Sequence, residues 1–312
     1  MNKESLIFVA GHNGMVGSSV VRLLKSIGYN NLILKSSKEL DLKDTNAVST
    51  FFSSQNIEYV FLCAAKVGGI LENSNKPGEF LYDNLMIQNN VIHQSYVHNV
   101  KKLLFLGSSC IYPKMSIQPI KEEYLLSGFL ESTNQSYAIA KITGIQMCDS
   151  YRTQYGCDFI SAMPTNLYGP NDNFDLNSSH VIPALLRKFY EAKKNGKKSV
   201  IIWGDGSPLR EFLHVDDCAS ACLFLMNDFS DFGPVNIGTG SDISILNLAK
   251  LIADKIGFQG EIILDTSKPN GTPKKQLDVS KINKLGWKAS IALEDGIQSV
   301  CSILDYELKS YQ

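Results

Sequence analysis

The chain has no excess of either charge, with 30 Lys and Arg against 31 Asp and Glu in 312 residues. A nucleic-acid or membrane-surface partner would need a basic face, and this balance supplies none. No apolar run approaches the roughly 20 residues needed to cross a bilayer. The start, Met1 to Val9, is too short and too soon followed by glycine to read as an export signal. The seven cysteines show no paired spacing, which argues against a disulfide scaffold and for reduced thiols in a cytoplasm. His214, Cys218 and Cys222 are spaced four apart, which invites a zinc reading. The run from Glu211 to Asp217, however, reads as a strand leading into a helix cap. No fourth ligand follows, so no metal is expected.

What is present is an ordinary globular composition, 44% hydrophobic, with ample material for a core. Short apolar runs predict strands at 6–10, 31–34, 59–62, 102–107 and 157–163. Between them, helical patterns are predicted at 16–27, 80–98 and 136–155. Strands alternating with helices imply a parallel sheet covered on both faces. After Pro164 the pattern becomes mixed, with helices predicted at 180–195, 216–228 and 245–256. Short strands are predicted there at 199–203, 235–237 and 261–264. The expected fold class is therefore α/β, a Rossmann-type doubly wound parallel sheet with a smaller mixed α/β substrate lobe. Residues 1–168 would form the first unit, with some later segments returning to it, and 169–312 mainly the second.

The turn Gly11-His12-Asn13-Gly14-Met15-Val16-Gly17 follows a predicted strand and opens a predicted helix. Glycines there let backbone N–H groups approach a pyrophosphate, and the helix dipole favours that anion. At the end of the second strand stand Lys35-Ser36-Ser37-Lys38, and the first acid is Glu39. Lysines and hydroxyls suit a ribose 2′-phosphate better than a 2′-hydroxyl, so Lys35 and Lys38 favour NADP over NAD.

Tyr137 and Lys141 stand one helical turn apart, and Ser108 ends an earlier strand. A phenol is a poor acid–base group at neutral pH, and a neighbouring ammonium is expected to lower its pKa. With Ser108 bonded to a carbonyl oxygen, the three would stabilise an alkoxide as hydride arrives. Cys110 lies two residues after that serine. Local chemistry leaves it as either a small core thiol, the commoner case, or a second catalyst. His180, before an apolar helical pattern, reads in isolation as a cap or surface histidine more readily than as an acid. Arg210 has the forked geometry for a diphosphate.

The spacing Gly11-x-x-Gly14-x-x-Gly17 resembles the short-chain dehydrogenase/reductase family in its extended, nucleotide-sugar branch. Within that branch five motifs are similar to the GDP-L-fucose synthases. They are Gly-Ser-Ser-Cys-Ile-Tyr-Pro-Lys at Gly107, Tyr-Ala-Ile-Ala-Lys at Tyr137 and Pro-Thr-Asn-Leu-Tyr-Gly-Pro at Pro164. His-Val-Ile-Pro-Ala-Leu at His180 and Trp-Gly-Asp-Gly-Ser-Pro-Leu-Arg-Glu-Phe at Trp203 complete the set, and the likeness runs from Val9 to Trp287.

The resemblance implies a bifunctional 3,5-epimerase and NADPH-dependent 4-reductase acting on GDP-4-keto-6-deoxy-mannose. It implies Cys110 as base and His180 as acid for the epimerisations, with Ser108, Tyr137 and Lys141 for the reduction. It implies NADP(H) contacts along Gly11 to Gly17 and at Leu106, Gly107, Ser108, Ser109, Lys141, Pro164, Thr165, Asn166, Leu167 and His180. Lys188, Trp203, Arg210 and Asp278 fall where it puts substrate contacts. A homodimer built on helices 80–98 and 136–155 is implied as well. Asn13 and Ser37 stand where the family commonly has arginines for the 2′-phosphate, and Lys188 where an arginine is familiar.

Two other readings stay open from the sequence. One is action on another GDP-4-keto sugar such as a heptose, and the other is a non-catalytic cofactor-sensing protein. A dehydratase would need an acidic pair where Ser109-Cys110 stand.

Overall fold

The computed structural model describes residues 1–176, 178–268 and 270–311. The chain opens on β1 (Ile7–Ala10), four buried apolar residues in succession, as a strand covered on both faces requires. Next come α1 (Met15–Ser26), β2 (Leu32–Ile33), α2 (Thr45–Ser53) and β3 (Tyr59–Leu62). Then α3 (Ile70–Asn75) leads into the long α4 (Pro77–Val97), β4 (Lys102–Leu106), the long α5 (Gln135–Tyr155) and β5 (Phe159–Pro164). The helix α4 starts three residues before the predicted position, because Pro77 fits its first turn. The sequence pattern missed α2, a nine-residue helix fixed by Asp44, whose carboxylate accepts from Asn46 N and Ala47 N.

The chain continues through β6 (Asn166–Tyr168), α6 (Val181–Lys194), β7 (Ser199–Trp203), β8 (Leu209–Arg210), β9 (Phe212–His214), α7 (Val215–Asp228) and β10 (Pro234–Ile237). It ends with β11 (Ile243–Ser244), α8 (Ile245–Ile256), β12 (Glu261–Asp265), β13 (Lys274–Lys275), α9 (Ser280–Leu285) and α10 (Leu293–Glu307).

The main sheet has six strands in the order β10-β5-β4-β3-β1-β2, all parallel. After β2 the chain crosses back to place β3 on the other side of β1. That reversal opens a crevice at the carboxyl end of β1, where the glycine turn lies. β10 therefore returns to the first sheet from late in the sequence, and α7 packs against α1. Close packing of α5 on the sheet depends on Gly144. A β-carbon there would lie 2.3 Å from Phe105 Cζ.

Two apolar cores result. One gathers the main sheet with α1, α5 and α7, while the other joins α6, α8 and α10 around Phe174, Phe189 and Ile252. Phe189 is fully buried, and its loss would cost about 3–5 kcal/mol. In the second region β7 pairs with β12, and β8 lies between β11 and β13.

Candidate active site

The glycine turn is sterically specified. Gly11 has φ +85°, and a β-carbon there would lie 2.7 Å from the Ala64 backbone. One on Gly17 would lie 2.1 Å from the Gly11 carbonyl oxygen. Gly14 differs. Its N–H donates to Gly11 O at 3.0 Å and it caps α1, yet a β-carbon would meet only an ordinary contact at 3.5 Å. Gly14 is exposed, so the open side of the turn is where a phosphate would approach. His12 Nδ1 in the same turn is buried without a hydrogen-bond partner. These residues fit a dinucleotide. At the end of β2, Lys35 pairs with Glu39 at 3.7 Å, and Lys38 is exposed beside them.

The strand β4 is buried throughout and delivers Leu106 to the crevice. Gly107 follows because a β-carbon there would lie 2.2 Å from Met163 Cε. Ser108 then caps a short turn at Ser109–Ile111, its Oγ accepting from Cys110 N at 3.4 Å. The helix α5 brings Tyr137 and Lys141 to the same place. Lys141 Nζ donates to Leu106 O at 2.8 Å and stands 5.8 Å from the centre of the Tyr137 ring. Burial pushes the Lys141 pKa down to about 8, opposed by Cys110 and Cys63.

The expectation that Lys141 lowers the Tyr137 pKa gives way to a different balance. Burial dominates and pushes the phenol up, Cys110 adds to it, and a hydrogen bond with Ser108 opposes both. The phenol thus keeps its proton at neutral pH, which is the form a proton donor needs.

Cys110 is buried, and that burial pushes its thiol up. The opposing groups are Lys275 first, then Ser108 and Lys141. His180 caps the start of α6 on a loop fastened to the segment before α3, where Gly69 N donates to Ser178 O at 2.8 Å. The imidazole keeps exposed surface, yet enough protein surrounds it that lost hydration lowers its pKa, and Lys275 lowers it further. Both groups therefore rest uncharged, as thiol and imidazole, rather than as the ready thiolate and imidazolium that the resemblance suggests.

The residue common to both is Lys275, which the sequence reading missed. It lies on β13, opposite Arg210 of β8 in a parallel pair. Burial lowers the Lys275 pKa, Cys110 opposes that, and Arg210 adds to it. The only signal in the sequence was the adjacent pair Lys274-Lys275 after a turn. A two-residue strand has no period to reveal where it points.

Arg210 is half-buried, and its Nη1 donates to Leu209 O at 2.8 Å. With Lys275 it makes a local cationic corner suited to phosphate oxygens. Glu211, the next residue, is wholly buried. Its carboxylate accepts from Gly240 N at 2.7 Å and Leu277 N at 2.8 Å, while its carbonyl accepts from Asn166 Nδ2 at 2.8 Å. Glu211 thus ties the Lys275 segment to Thr165 and Asn166 at the end of β5.

Lys188 and Trp203 meet on the smaller lobe. Lys188 Nζ donates to Ile201 O at 3.3 Å and lies 5.9 Å from the centre of the Trp203 ring, which is 55% exposed. Asp278 Oδ1 accepts from Ser280 N at 2.8 Å at the start of α9. The His214, Cys218 and Cys222 trio resolves as the strand-and-cap reading expects. His214 ends β9 and its Nδ1 accepts from Asp216 N at 3.2 Å. Among the described residues, no group of three His, Cys, Asp or Glu could hold a metal ion.

The chain as a whole has relatives among known proteins. Residues 7–238 match the model of the NAD dependent epimerase/dehydratase family. GDP-L-fucose synthase 1 of Arabidopsis thaliana is 54% identical over 309 residues, spanning 99% of this chain and 95% of that protein. GDP-L-fucose synthase of Escherichia coli K12 is 51% identical over 308 residues, spanning 96% of each. Among solved structures, a GDP-mannoheptose C4 reductase from Campylobacter jejuni with NADP bound superimposes with a TM-score of 0.90 at 41% identity. That superposition covers 98% of this chain and 99% of that one. By sequence and fold, the chain belongs to the NAD dependent epimerase/dehydratase family.

Proposed function

We propose that this protein converts GDP-4-keto-6-deoxy-mannose to GDP-L-fucose, as a 3,5-epimerase and an NADPH-dependent 4-reductase. The observation that carries the reading is two acid–base sets in one crevice. Ser108, Tyr137 and Lys141 form one, and Cys110 with His180, both facing Lys275, form the other.

The cofactor would be held by Gly11 to Gly17 at its pyrophosphate and by Lys35 and Lys38 at its 2′-phosphate. Leu106 to Ser109, Pro164 to Leu167, Lys141 and His180 would surround the nicotinamide end. When bound, NADPH supplies the hydride that reduces C4. Arg210 is assigned to the diphosphate, and Lys188 and Trp203 to the nucleotide or sugar. Asp278, whose Oδ1 also accepts from Ser280 N, is assigned to the substrate as well.

A 4-keto group makes the protons at C3 and C5 acidic, because the resulting carbanion is an enolate. Cys110 Sγ removes the proton and His180 returns one on the opposite face. The neutral thiol and imidazole carry the same number of protons as the thiolate and imidazolium. The reactive pair is therefore a minor form at the same total protonation. The Lys275 ammonium favours the thiolate and the developing enolate oxygen alike. Tyr137 then gives its proton to the C4 oxygen while Ser108 hydrogen-bonds that atom and Lys141 supplies positive charge. Epimerisation comes first, since reduction removes the ketone that acidifies C3 and C5.

A second reading, action on another GDP-4-keto sugar such as a heptose, is supported by the likeness to the heptose reductase. Incubation with GDP-4-keto-6-deoxy-mannose and NADPH separates the two. GDP-L-fucose is expected, and a C4-reduced product without inversion at C3 and C5 would favour the second.

The assignment of a homodimer rests on α4 and α5, which pack along each other and expose Tyr82, Ile139 and Tyr155. Sedimentation showing only monomer would overturn it. We assign residues 1–168, with the later segments that return to the main sheet, to cofactor binding. Residues 169–312 are assigned mainly to the substrate, and the location to the cytoplasm.

A further inference from the structure

The turn after β2 gathers its donors around an anion that belongs to the chain itself. Ser36 N and Ser36 Oγ both donate to Glu39 Oε2, at 2.8 and 2.7 Å. Lys35 Nζ stands 3.7 Å from Glu39 Oε1. His12, from the glycine turn, also acts on this carboxylate, and its Nδ1 is buried without a hydrogen-bond partner. The Ser36 bonds, then Lys35 and His12, hold the Glu39 carboxyl below the usual range.

A backbone N–H, a hydroxyl and an ammonium converging on anionic oxygens are the donors a phosphate would take. They lie just beyond the end of β2, where this kind of fold meets the ribose of a dinucleotide. We propose that Glu39 competes with the 2′-phosphate of NADPH for Ser36 and Lys35, and so sets the preference between NADPH and NADH. The inference rests on the cofactor reading above.

Two anions cannot share one ammonium and one serine without repulsion. The Glu39 side chain is 54% exposed, so it has room to swing out when a phosphate enters. NADH makes no such demand. Its 2′-hydroxyl is a donor, and Glu39 can accept from it without leaving Ser36 entirely. Asn13 and Ser37 are uncharged, so besides Lys35 only the exposed Lys38 of this turn is left to compensate. Glu39 therefore weakens NADPH binding while leaving NADH unaffected or better held.

The test is a fluorescence titration of the full chain with NADPH and with NADH, for the wild type, Glu39→Gln and Glu39→Ala. Glu39→Gln should bind NADPH about tenfold more tightly, with NADH unchanged or weaker. Lys35→Ala should cost more NADPH affinity in the Glu39→Gln background than in the wild type, because Lys35 is then free for the phosphate. Equal NADPH affinity in wild type and both Glu39 variants, or parallel tightening of both cofactors, would overturn the proposal and leave the cofactor reading intact. Failure of the wild type to bind either dinucleotide would overturn both.

Discussion

Replacing Lys275 with glutamine removes one positive charge that faces both Cys110 and His180. A nearby cation favours the charged thiolate and disfavours the charged imidazolium, so it lowers both pKa values. Its removal must raise both. A nearby opposite or like charge typically shifts a group by about 1–3 pH units. At the low end of that range the change is about one unit, or ~1.4 kcal/mol, for each group.

The assay is deuterium incorporation at C3 and C5 of the 4-keto sugar in D2O, followed against pH. NADP+ replaces NADPH so that the ketone persists. Burial lowers His180 and raises Cys110 from their ordinary values. The wild type should therefore show a plateau wider than the span from about 6.5 to about 8.5. Exchange falls on the acid side as His180 protonates, since the pair then holds one proton too many. It falls on the alkaline side as Cys110 loses its proton, since no acid remains. In Lys275→Gln both limbs should move upward together by about one unit. Limbs that stay in place, or that move in opposite directions, would refute the action of the Lys275 charge on both groups.

Two further outcomes follow from the same geometry. Tyr137→Phe should slow NADPH oxidation by about 10²–10⁴-fold while deuterium exchange at C3 and C5 continues, as separate kinetics of the two steps will read. Gly17→Ala forces a β-carbon to 2.1 Å from the Gly11 carbonyl oxygen. It should lower stability by about 1–3 kcal/mol in thermal unfolding and abolish NADPH binding in a fluorescence titration. Wild-type affinity there would separate the turn from the cofactor.

Much of this layout was legible in the residues because its signals are local. The spacing of Gly11, Gly14 and Gly17 describes a turn whose packing forbids a β-carbon at two of the three positions. The four-residue interval from Tyr137 to Lys141 survives as one turn of α5. Long periodic segments such as α4 and α5 also declare themselves. Lys275 could not be read this way. Its place beside Cys110 depends on pairing between β8 and β13, two-residue strands separated by more than sixty residues of chain. The phenol of Tyr137 was misjudged for a related reason. A neighbouring lysine is visible in sequence, whereas the burial that outweighs it is a property of the assembled crevice. Buried Glu211, whose carboxylate and carbonyl together join three segments, is likewise invisible until they meet.

The central claim is that one crevice carries two separable chemistries, with Cys110 serving only the first. Incubating Cys110→Ser with GDP-4-keto-6-deoxy-mannose and NADPH in D2O tests it most directly. The wild type should incorporate deuterium at C3 and C5 and oxidise NADPH, while the variant should incorporate none yet still reduce C4 slowly. Deuterium at wild-type rates in Cys110→Ser would contradict it.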